Sequence, residues 1–336
     1  MSGSMHRRKL LGILSGSWIA QGCYALAKLG VPALLADGPR TADELAAATG
    51  ADARALHRLL RALALAGLLR QTAPDTYALT ATSELLRPDV PDSVHLNALM
   101  QGEEVFGSFA EIMYTMRTGR PAFEKVYGRP FYAYLDENPD AAEVFTASMG
   151  AQPVPAVLRE VDWSGDGGVV DIGGGDGGLL AEILAGDSRL RGVLLERPDA
   201  VRAARKRLAG AGLAGRVEFV AGDFFRSVPA GGGVYLLARV LHNWDDEQAL
   251  AILRRVRQAM ATHARLVVVE EFLPEQVPAG GGGRGMVDLL MLVTLGGQDR
   301  TGAQYRDLLA GAGFDVLATR PGAGSPEVGL LEARPA

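Results

Sequence analysis

Apolar residues recur every three or four positions through most of the first 150 residues, the spacing that places them on one face of a helix. The segment that follows Asp52 carries leucines at this spacing over three turns. One exception is the run 68–79, where a turn at Pro74-Asp75 separates two short β-type segments. The order helix, turn, helix, hairpin predicts a helical, winged-helix-like N-terminal domain over residues 1–150.

From about residue 155, the apolar residues instead form short continuous runs separated by helical segments. This alternation is typical of a parallel sheet whose strands are joined by crossover helices. A hairpin-like loop, residues 320–327, joins the last two runs and predicts an antiparallel strand at one edge. We therefore expect an α/β, Rossmann-like domain over residues 151–336. The predicted strands are Val169–Ile172, Gly192–Leu195, Val217–Val220, Val234–Leu237, Leu266–Val269, Phe314–Thr319 and Val328–Glu332.

The composition is that of a protein with two ordinary domains, since 336 residues are present and 48% of them are hydrophobic. A formal net charge of −5 does not favour binding to nucleic acid or to an anionic membrane. Cys23 is the only cysteine, so neither an intrachain disulfide nor a thiolate metal cluster is possible. The five histidines show no metal-ligand spacing. We expect a cytoplasmic protein without a bound metal.

The N-terminal segment resembles a secretory signal, because the basic residues Arg7, Arg8 and Lys9 precede the apolar run Leu10–Leu14. Polar residues beginning at Ser15 interrupt that run, and the helical pattern continues beyond them. No run reaches the ~20 apolar residues of a membrane span. We therefore predict a helix of the N-terminal domain and no membrane partner.

A glycine loop follows the first predicted strand of the second domain. Gly173, Gly175 and Gly178 fit the fingerprint of dinucleotide-binding proteins, with Glu196 near the position of its ribose-binding acid. Asp171 together with Gly173, Gly175 and Gly177 also fits the pattern Asp-x-Gly-x-Gly-x-Gly, which suits S-adenosylmethionine. The loop alone leaves both cofactors open.

Polar residues stand at the ends of successive predicted strands, where ligands bind in such sheets. Glu196 follows the second strand and is suited to the two hydroxyls of a ribose. Asp223 and Phe224 follow the third strand, and an acid beside an aromatic ring is suited to an adenine. His242 and Glu270 follow the next two strands. This repetition predicts one binding site along the edge of the sheet.

The chain resembles the S-adenosylmethionine-dependent O-methyltransferases of the caffeate, flavonoid and hydroxyindole type and their bacterial natural-product relatives. The resemblance extends over roughly residues 10–333, and its most specific string is Leu-His-x-Trp-x-Asp-Glu, here Leu241–Glu247. The other segments that carry it are Val170–Gly175, Gly222–Phe225, Gly296–Thr301 and Leu309–Phe314.

The resemblance implies a role for each matching position. His242 would be the general base, and Glu270 would hydrogen-bond it and set its tautomer. Asp299 is placed with this catalytic group, although the family usually has a glutamate there and aspartate is shorter. The expected cofactor-binding residues are Asp171, Gly173, Gly175, Glu196, Asp223, Phe224, Arg239 and Trp244. Phe145 and Met149 match a family motif, Phe-x-x-x-Met, that lines the substrate pocket. Met286, Asp288 and Met291 are expected to form the opposite wall of that pocket, with a buried helix stripe as the alternative for part of this set.

The resemblance also implies a homodimer formed through the N-terminal domain, for which the apolar segment Trp18–Leu29 is the best candidate interface. The implied substrate is an aromatic small molecule of specialised metabolism, such as antibiotic biosynthesis. Because a phenol has a pKa near ~10, a histidine poised near ~6.5 is suited to remove its proton during methyl transfer.

Several alternatives stay open at this point. A methyltransferase-like enzyme on this scaffold can catalyse hydroxylation, decarboxylation or cyclisation, or methylate nitrogen or carbon. A winged-helix regulator that senses a small molecule and a nicotinamide-dependent dehydrogenase are two further possibilities. The presence of both His242 and Glu270 favours methylation of an oxygen.

Overall fold

The computed structural model describes residues 2–277, 284–322 and 325–336. These residues form two compact units, 1–107 and 108–336. The division lies at Gly107/Ser108 and not at residue 150, where the change in periodicity had placed it. Residues 108–150 are helical as predicted, but they pack with helices of the second unit. Phe123, for example, belongs to a small aromatic core that also contacts Leu295.

The first unit contains short helices and one small sheet. Its three strands, β1 (Arg40–Thr41), β2 (Leu69–Ala73) and β3 (Thr76–Leu79), form an antiparallel sheet in the order β1-β3-β2. The helices are α1 (Ser2–Leu14), α2 (Gly16–Lys28), α3 (Val31–Leu34), α4 (Ala42–Thr49), α5 (Ala53–Leu65), α6 (Ala81–Glu84) and α7 (His95–Met100), with a π-helical turn over Gln101–Val105. Helix α8 (Phe106–Ala110) spans the division between the two units.

Local signals determine where these elements begin. Thr41 and Glu44 form a reciprocal capping box at the start of α4, and the Asp52 carboxylate caps α5. The predicted hairpin forms, and Asp75 occupies its turn at a φ of +61°. The pairing of β1 with β3 is an addition that the apolar pattern did not predict.

The N-terminal helices expose much of their apolar surface. Trp18 is 76% exposed, and Leu10, Leu14 and Ile19 are exposed as well. Among the described residues, the helical stretch Ser4–Lys28 is long and apolar enough to cross a membrane by length and composition alone. This helix corrects the expectation that no run is long enough for a membrane span: small residues interrupt the large apolar ones, but no charge lies between Leu10 and Ala27.

The second unit begins with helices that precede its large sheet, and further helices then alternate with the strands. The helices are α9 (Ile112–Thr118), α10 (Ala122–Tyr127), α11 (Phe131–Glu137), α12 (Pro139–Gly150), α13 (Gly178–Gly186), α14 (Pro198–Gly210), α15 (Asp246–Ala259), α16 (Arg284–Thr294) and α17 (Gly302–Gly311). The strands are β4 (Val169–Ile172), β5 (Gly192–Glu196), β6 (Val217–Ala221), β7 (Val234–Ala238), β8 (Arg265–Leu273), β9 (Arg300–Thr301), β10 (Phe314–Gly322) and β11 (Ser325–Pro335).

The large sheet has the order β10-β11-β8-β7-β4-β5-β6, with β9 paired to β8. Its five central strands run parallel, and β10 and β11 add the predicted antiparallel edge. Part of the predicted hairpin loop, residues 323–324, lies outside the described residues. Every residue of β4 is buried because helices cover both faces of the sheet. The parallel strands therefore bring the ends of β4, β5, β6, β7 and β8 to one edge.

Candidate active site

The glycine loop between β4 and α13 brings backbone atoms to the edge of the sheet. Gly173, Gly175 and Gly177 have positive φ angles of 70°, 58° and 77°, a region that favours glycine. A Cβ on Gly173 would lie 2.9 Å from a methyl group of Val240, whereas nothing lies within 4 Å of a Cβ on Gly175. The loop therefore leaves open space at Gly175, next to the N-terminal end of a helix.

Two carboxylates lie beside this loop, the half-buried Glu196 and the buried Asp171. Glu196 accepts hydrogen bonds from the backbone N–H groups of Gly175, at 3.2 Å, and Arg197, at 2.7 Å. Asp171 is 1% exposed, and its Oδ2 has no hydrogen-bond partner among the described residues. Burial and the neighbouring charge of Glu196 raise the pKa of Asp171 to about 7. Such a poorly compensated acid fits a ligand that brings hydrogen-bond donors or positive charge.

An aromatic cluster covers the same part of the edge. Trp244 stacks on Tyr132 with ring centroids 5.4 Å apart, and its ring meets Phe224 and Phe225 edge-on at 6.0 and 4.7 Å. The indole Nε1 of Trp244 is buried without a partner in the described part of the chain. Rings with an unused donor beside buried acids fit a nucleoside that presents both an aromatic base and polar groups.

Tyr132 is a residue of this cluster that the sequence analysis missed. The guanidinium of Arg197 lies 5.4 Å from its ring centroid and also donates to its backbone carbonyl at 3.3 Å. Since Arg197 directly follows Glu196, this contact connects α11 to the end of β5. The only signal in the sequence was the density of aromatic residues from Phe123 to Tyr134, which did not distinguish pocket from core.

Asp223 and Arg239 have contacts that their predicted roles did not include. The carboxylate of Asp223 accepts the N–H of Phe225 at 2.8 Å and is half exposed at the rim of the cluster. Arg239 has a φ of +56° and donates from Nη2 to the carbonyl of Pro153 at 3.1 Å. Its buried Nε finds no partner among the described residues.

His242 lies in a 3-10 turn, Leu241–Asn243, immediately after β7. Its Nδ1 is 3.2 Å from Oδ1 of Asp299 and 3.8 Å from Oε2 of Glu270. The imidazole side chain is only 13% exposed. With Nδ1 facing two carboxylates, the N–H sits on Nδ1, and Nε2 keeps the lone pair that can accept a proton.

The expectation that Glu270 hydrogen-bonds His242 needs correction, because that contact belongs to Asp299. Glu270 is fully buried, and its Oε1 instead accepts the backbone N–H groups of Val240, at 2.9 Å, and Leu241, at 2.7 Å. Glu270 therefore holds the backbone just before the histidine and acts on its ring through charge at a longer distance. The shorter side chain of aspartate nevertheless reaches the imidazole from position 299, since its Oδ1 lies 3.2 Å from Nδ1.

The surroundings of His242 shift its pKa in two directions. Burial disfavours the charged ring, but the charge of Glu270 and the hydrogen bond that Asp299 accepts from Nδ1 outweigh burial and raise the pKa above its usual 6.5. Burial also raises the pKa of Glu270. A histidine with these neighbours is a stronger base than an exposed one.

The backbone around Asp299 is held by neighbouring side chains. Oδ1 of Asp288 accepts the N–H of Asp299 at 2.9 Å. Asp288 was expected to line the substrate pocket, and this hydrogen bond also connects it to the residue that contacts His242. A Cβ on Gly297 would lie 2.2 Å from the carbonyl oxygen of His242. The two segments therefore pack backbone against backbone, an approach that only glycine permits.

The remaining predicted pocket residues differ in exposure. Phe145 meets Phe131 edge-on at 5.1 Å, and Met149 is half-buried. On α16, Met291 is half-buried, whereas Met286 is 58% exposed. Within the described residues, no group of histidine, cysteine, aspartate and glutamate is arranged to hold a metal ion.

Comparison with known proteins gives two family matches. A model described as the O-methyltransferase domain matches residues 109–315. A second model, the O-methyltransferase dimerisation domain, matches residues 11–89. The first match covers more than half of the chain and begins close to the division between the two compact units.

Relatives are similar over nearly the full length. The chain is 41% identical to a phenazine O-methyltransferase from Lysobacter antibioticus over 330 residues, which cover 97% of this chain and 95% of the relative. It is 39% identical to an 8-amino-8-demethylriboflavin N,N-dimethyltransferase from Streptomyces davaonensis, over 89% of this chain and 87% of the relative.

One of the solved structures similar to this chain contains a bound cofactor. It is an O-methyltransferase of neocarzinostatin biosynthesis in complex with S-adenosylmethionine and 2-hydroxy-5-methyl naphthoic acid. Its TM-score to this chain is 0.83 at 35% identity, covering 94% of this chain and 96% of that one. With the glycine loop, the buried acids and the histidine in place, the chain belongs to the S-adenosylmethionine-dependent O-methyltransferase family.

Proposed function

We propose that this enzyme methylates a hydroxyl group of an aromatic small molecule, with His242 as the general base. The observation that carries the proposal is the pair of carboxylates, Asp299 and Glu270, at 3.2 and 3.8 Å from Nδ1 of the buried imidazole. The relatives support the aromatic class, since one is named for phenazines and a solved neighbour holds a naphthoic acid.

The residues around His242 suit the removal of a proton from a weakly acidic hydroxyl. As the acceptor oxygen attacks, its proton passes to Nε2, and the resulting imidazolium is stabilised by Asp299 and Glu270. Bound S-adenosylmethionine supplies a methyl group on a positively charged sulfur, which needs no further activation. The protein therefore contributes mainly orientation and proton removal.

Residues of the glycine loop and the strand ends would hold the cofactor. We assign the ribose hydroxyls to Glu196, the adenine to the cluster of Phe224 and Trp244, and the cationic amino-acid end to the region of Asp171. Asp171 is suited to this because its Oδ2 has no hydrogen-bond partner among the described residues. A cation beside it would stabilise the ionised carboxylate and lower its raised pKa.

Mass spectrometry after incubation with S-adenosylmethionine and a panel of phenazine, naphthoate and other phenols tests the function. We expect a product heavier by one methyl in place of one hydrogen, together with an equal amount of S-adenosylhomocysteine. The matching methyl ether of each active phenol serves as the control and should not react. A different mass change, such as loss of carbon dioxide or gain of oxygen, would contradict O-methylation.

The same experiment addresses methylation at nitrogen, because one relative is named as an N,N-dimethyltransferase. Aromatic amines in the panel, matched to phenols of the same ring, compare the two acceptors directly. We expect the phenol to be preferred, because its oxygen becomes strongly nucleophilic only when a base such as His242 removes its proton. An arylamine nitrogen attacks without losing a proton first, so a site built around a base offers it little advantage.

We also propose that the enzyme is a cytoplasmic homodimer that acts in specialised metabolism. The dimerisation-domain match includes the exposed apolar residues Leu14, Trp18 and Ile19. Burying one large apolar side chain contributes about 1.5–3 kcal/mol, so a second copy of this surface would be well stabilised. On this proposal, the winged-helix-like arrangement of α4, α5 and the β2–β3 hairpin is part of a dimerisation domain and not of a DNA-binding domain.

Trp18→Asp is expected to convert the dimer to monomer at micromolar concentration. The change places a charge in an interface that otherwise excludes water. Light scattering after size-exclusion chromatography measures the mass. Val277→Asp is the matched control, because Val277 is 86% exposed and lies outside the matched dimerisation domain. A Trp18→Asp protein that still elutes as a dimer would show that the interface lies elsewhere.

A further inference from the structure

Arg300 is the largest side chain that is fully buried among the described residues, with 1% of its surface exposed. Arginine is rarely buried unless its charge and donors are all compensated. It lies directly after Asp299, at the start of β9. A buried guanidinium beside a catalytic group therefore requires an explanation.

The hydrogen bonds of Arg300 reach both sides of the histidine turn. Nη1 donates to the carbonyl of Leu241 at 3.1 Å, and Nη2 donates to the carbonyl of Trp244 at 2.9 Å. These two carbonyls bracket His242 in the chain. One planar group thus holds the entry and the exit of the turn at a fixed separation.

The same side chain is also anchored to its own segment and to the surface. Nη1 donates to the carbonyl of Gln298 at 3.2 Å, and Nε donates to the carboxylate of Asp246 at 2.9 Å. The side-chain amide of Gln298 donates to that carboxylate at 2.6 Å. Asp246 is the first residue of α15 and balances the guanidinium charge while remaining 64% exposed itself.

We propose that Arg300 is a positioning residue that sets the distance between His242 and Asp299. The proposal rests on the proposed role of His242 as the base. Asp299 is covalently next to Arg300, and His242 lies between two of its acceptors, so movement of the guanidinium changes the relation of the imidazole to the carboxylate. A rigid fork with five donors can satisfy these acceptors together, whereas an ammonium group cannot.

A merely structural role would make Arg300 important for folding only. The two roles differ in what happens to the imidazole. If Arg300 sets the geometry of the pair, its replacement lets Asp299 withdraw from Nδ1, and the pKa of His242 falls. If Arg300 only supports the fold, the pKa of His242 in the folded fraction stays the same.

The test compares Arg300→Lys with Arg216→Lys. Arg216 is a matched control because it also donates to three backbone carbonyls, those of Leu184, Asp187 and Leu190, but lies outside the site. NMR titration of the histidine ring signals gives the pKa of His242 without any substrate. For Arg300→Lys we expect that pKa to fall by about one pH unit and kcat to fall by about tenfold or more. For Arg216→Lys we expect neither change.

Asp246→Ala provides a second variant in case Arg300→Lys does not fold. It leaves Nε of Arg300 without its acceptor, but position 246 is largely exposed, so water can replace the carboxylate there, and helix α15 keeps its cap at Asp245. We expect the pKa and kcat to fall in the same direction by smaller amounts. An unchanged pKa of His242 in the folded variant, or in Asp246→Ala if Arg300→Lys is unfolded, would overturn the proposal.

The NMR measurement separates this proposal from the proposed function. If wild-type protein methylates none of the phenols, the function is wrong, and the titration still reports whether Arg300 sets the His242–Asp299 pair. If methylation occurs but the pKa of His242 is the same in all variants, only the role of Arg300 is wrong.

Discussion

Replacement of His242 by alanine is expected to lower kcat by about two to four orders of magnitude, the usual contribution of a general base. The acceptor hydroxyl would then have to lose its proton to water, which is a far weaker base in a site of this depth. The Kd for S-adenosylhomocysteine should change by less than about threefold, because the carboxylates and rings at the glycine loop are untouched. Turnover assays and calorimetry measure the two quantities.

The role of His242 as a base also predicts how the activity of the wild-type enzyme changes with pH. His242 must be neutral to accept a proton, so kcat/KM falls as the pH drops through its pKa, which lies above 6.5. Asp299→Asn removes a group that raises this pKa, and we expect the acidic limb to move to lower pH. An alanine variant that turns over at the wild-type rate, or an acidic limb that does not respond to position 299, would show that another residue is the base.

Glu196→Ala is expected to weaken binding of S-adenosylmethionine by about a hundredfold. A half-buried carboxylate that accepted both ribose hydroxyls, as we propose, would contribute about 3 kcal/mol through its two charge-assisted hydrogen bonds. The substitution also leaves the N–H of Gly175 without its acceptor and loosens the glycine loop. Calorimetric titration of the cofactor into each variant measures the change in Kd.

Two further variants make the result specific. Glu196→Gln keeps one acceptor oxygen and should lose less affinity than alanine. Glu218→Ala removes an exposed glutamate from the neighbouring strand β6 and should bind as the wild type does. If Glu196→Ala retains wild-type affinity, the ribose does not bind at the end of β5. Stronger binding of a nicotinamide cofactor than of S-adenosylmethionine would contradict the assignment of the whole edge.

Much of the site followed from local pattern. The run Val169–Ile172 is apolar throughout because both faces of β4 are covered, and it predicted a central strand before any pairing was known. The glycines at positions 173, 175 and 177 predicted a loop with positive φ angles, which other residues rarely adopt. The Gly296–Thr301 segment carries the resemblance to the family, but nothing in it predicted that Arg300, the neighbour of Asp299, is fully buried.

The boundary between the two units differs from the one that hydrophobic periodicity predicted. Residues 108–150 have the same helical spacing as the residues before them, so the pattern assigned them to the first domain. Their apolar faces pack against helices of the second unit, as the contact of Phe123 with the core around Leu295 illustrates. Hydrophobic spacing reports which face of a helix is buried and carries no information about its partner.

The sequence by itself determined the two kinds of architecture and every strand of the large sheet except β9, and it predicted that the glycine loop and His242 belong to the site. The tertiary structure decided that Asp299 rather than Glu270 is in hydrogen-bond contact with Nδ1 and that Tyr132 stacks on Trp244. It also decided that Arg300 donates to the backbone carbonyls on both sides of His242. Each of these contacts joins residues far apart in the chain, His242 and Asp299 being 57 positions apart. Their distances depend on strand pairing and helix packing over the whole unit, which no local spacing of residue types encodes.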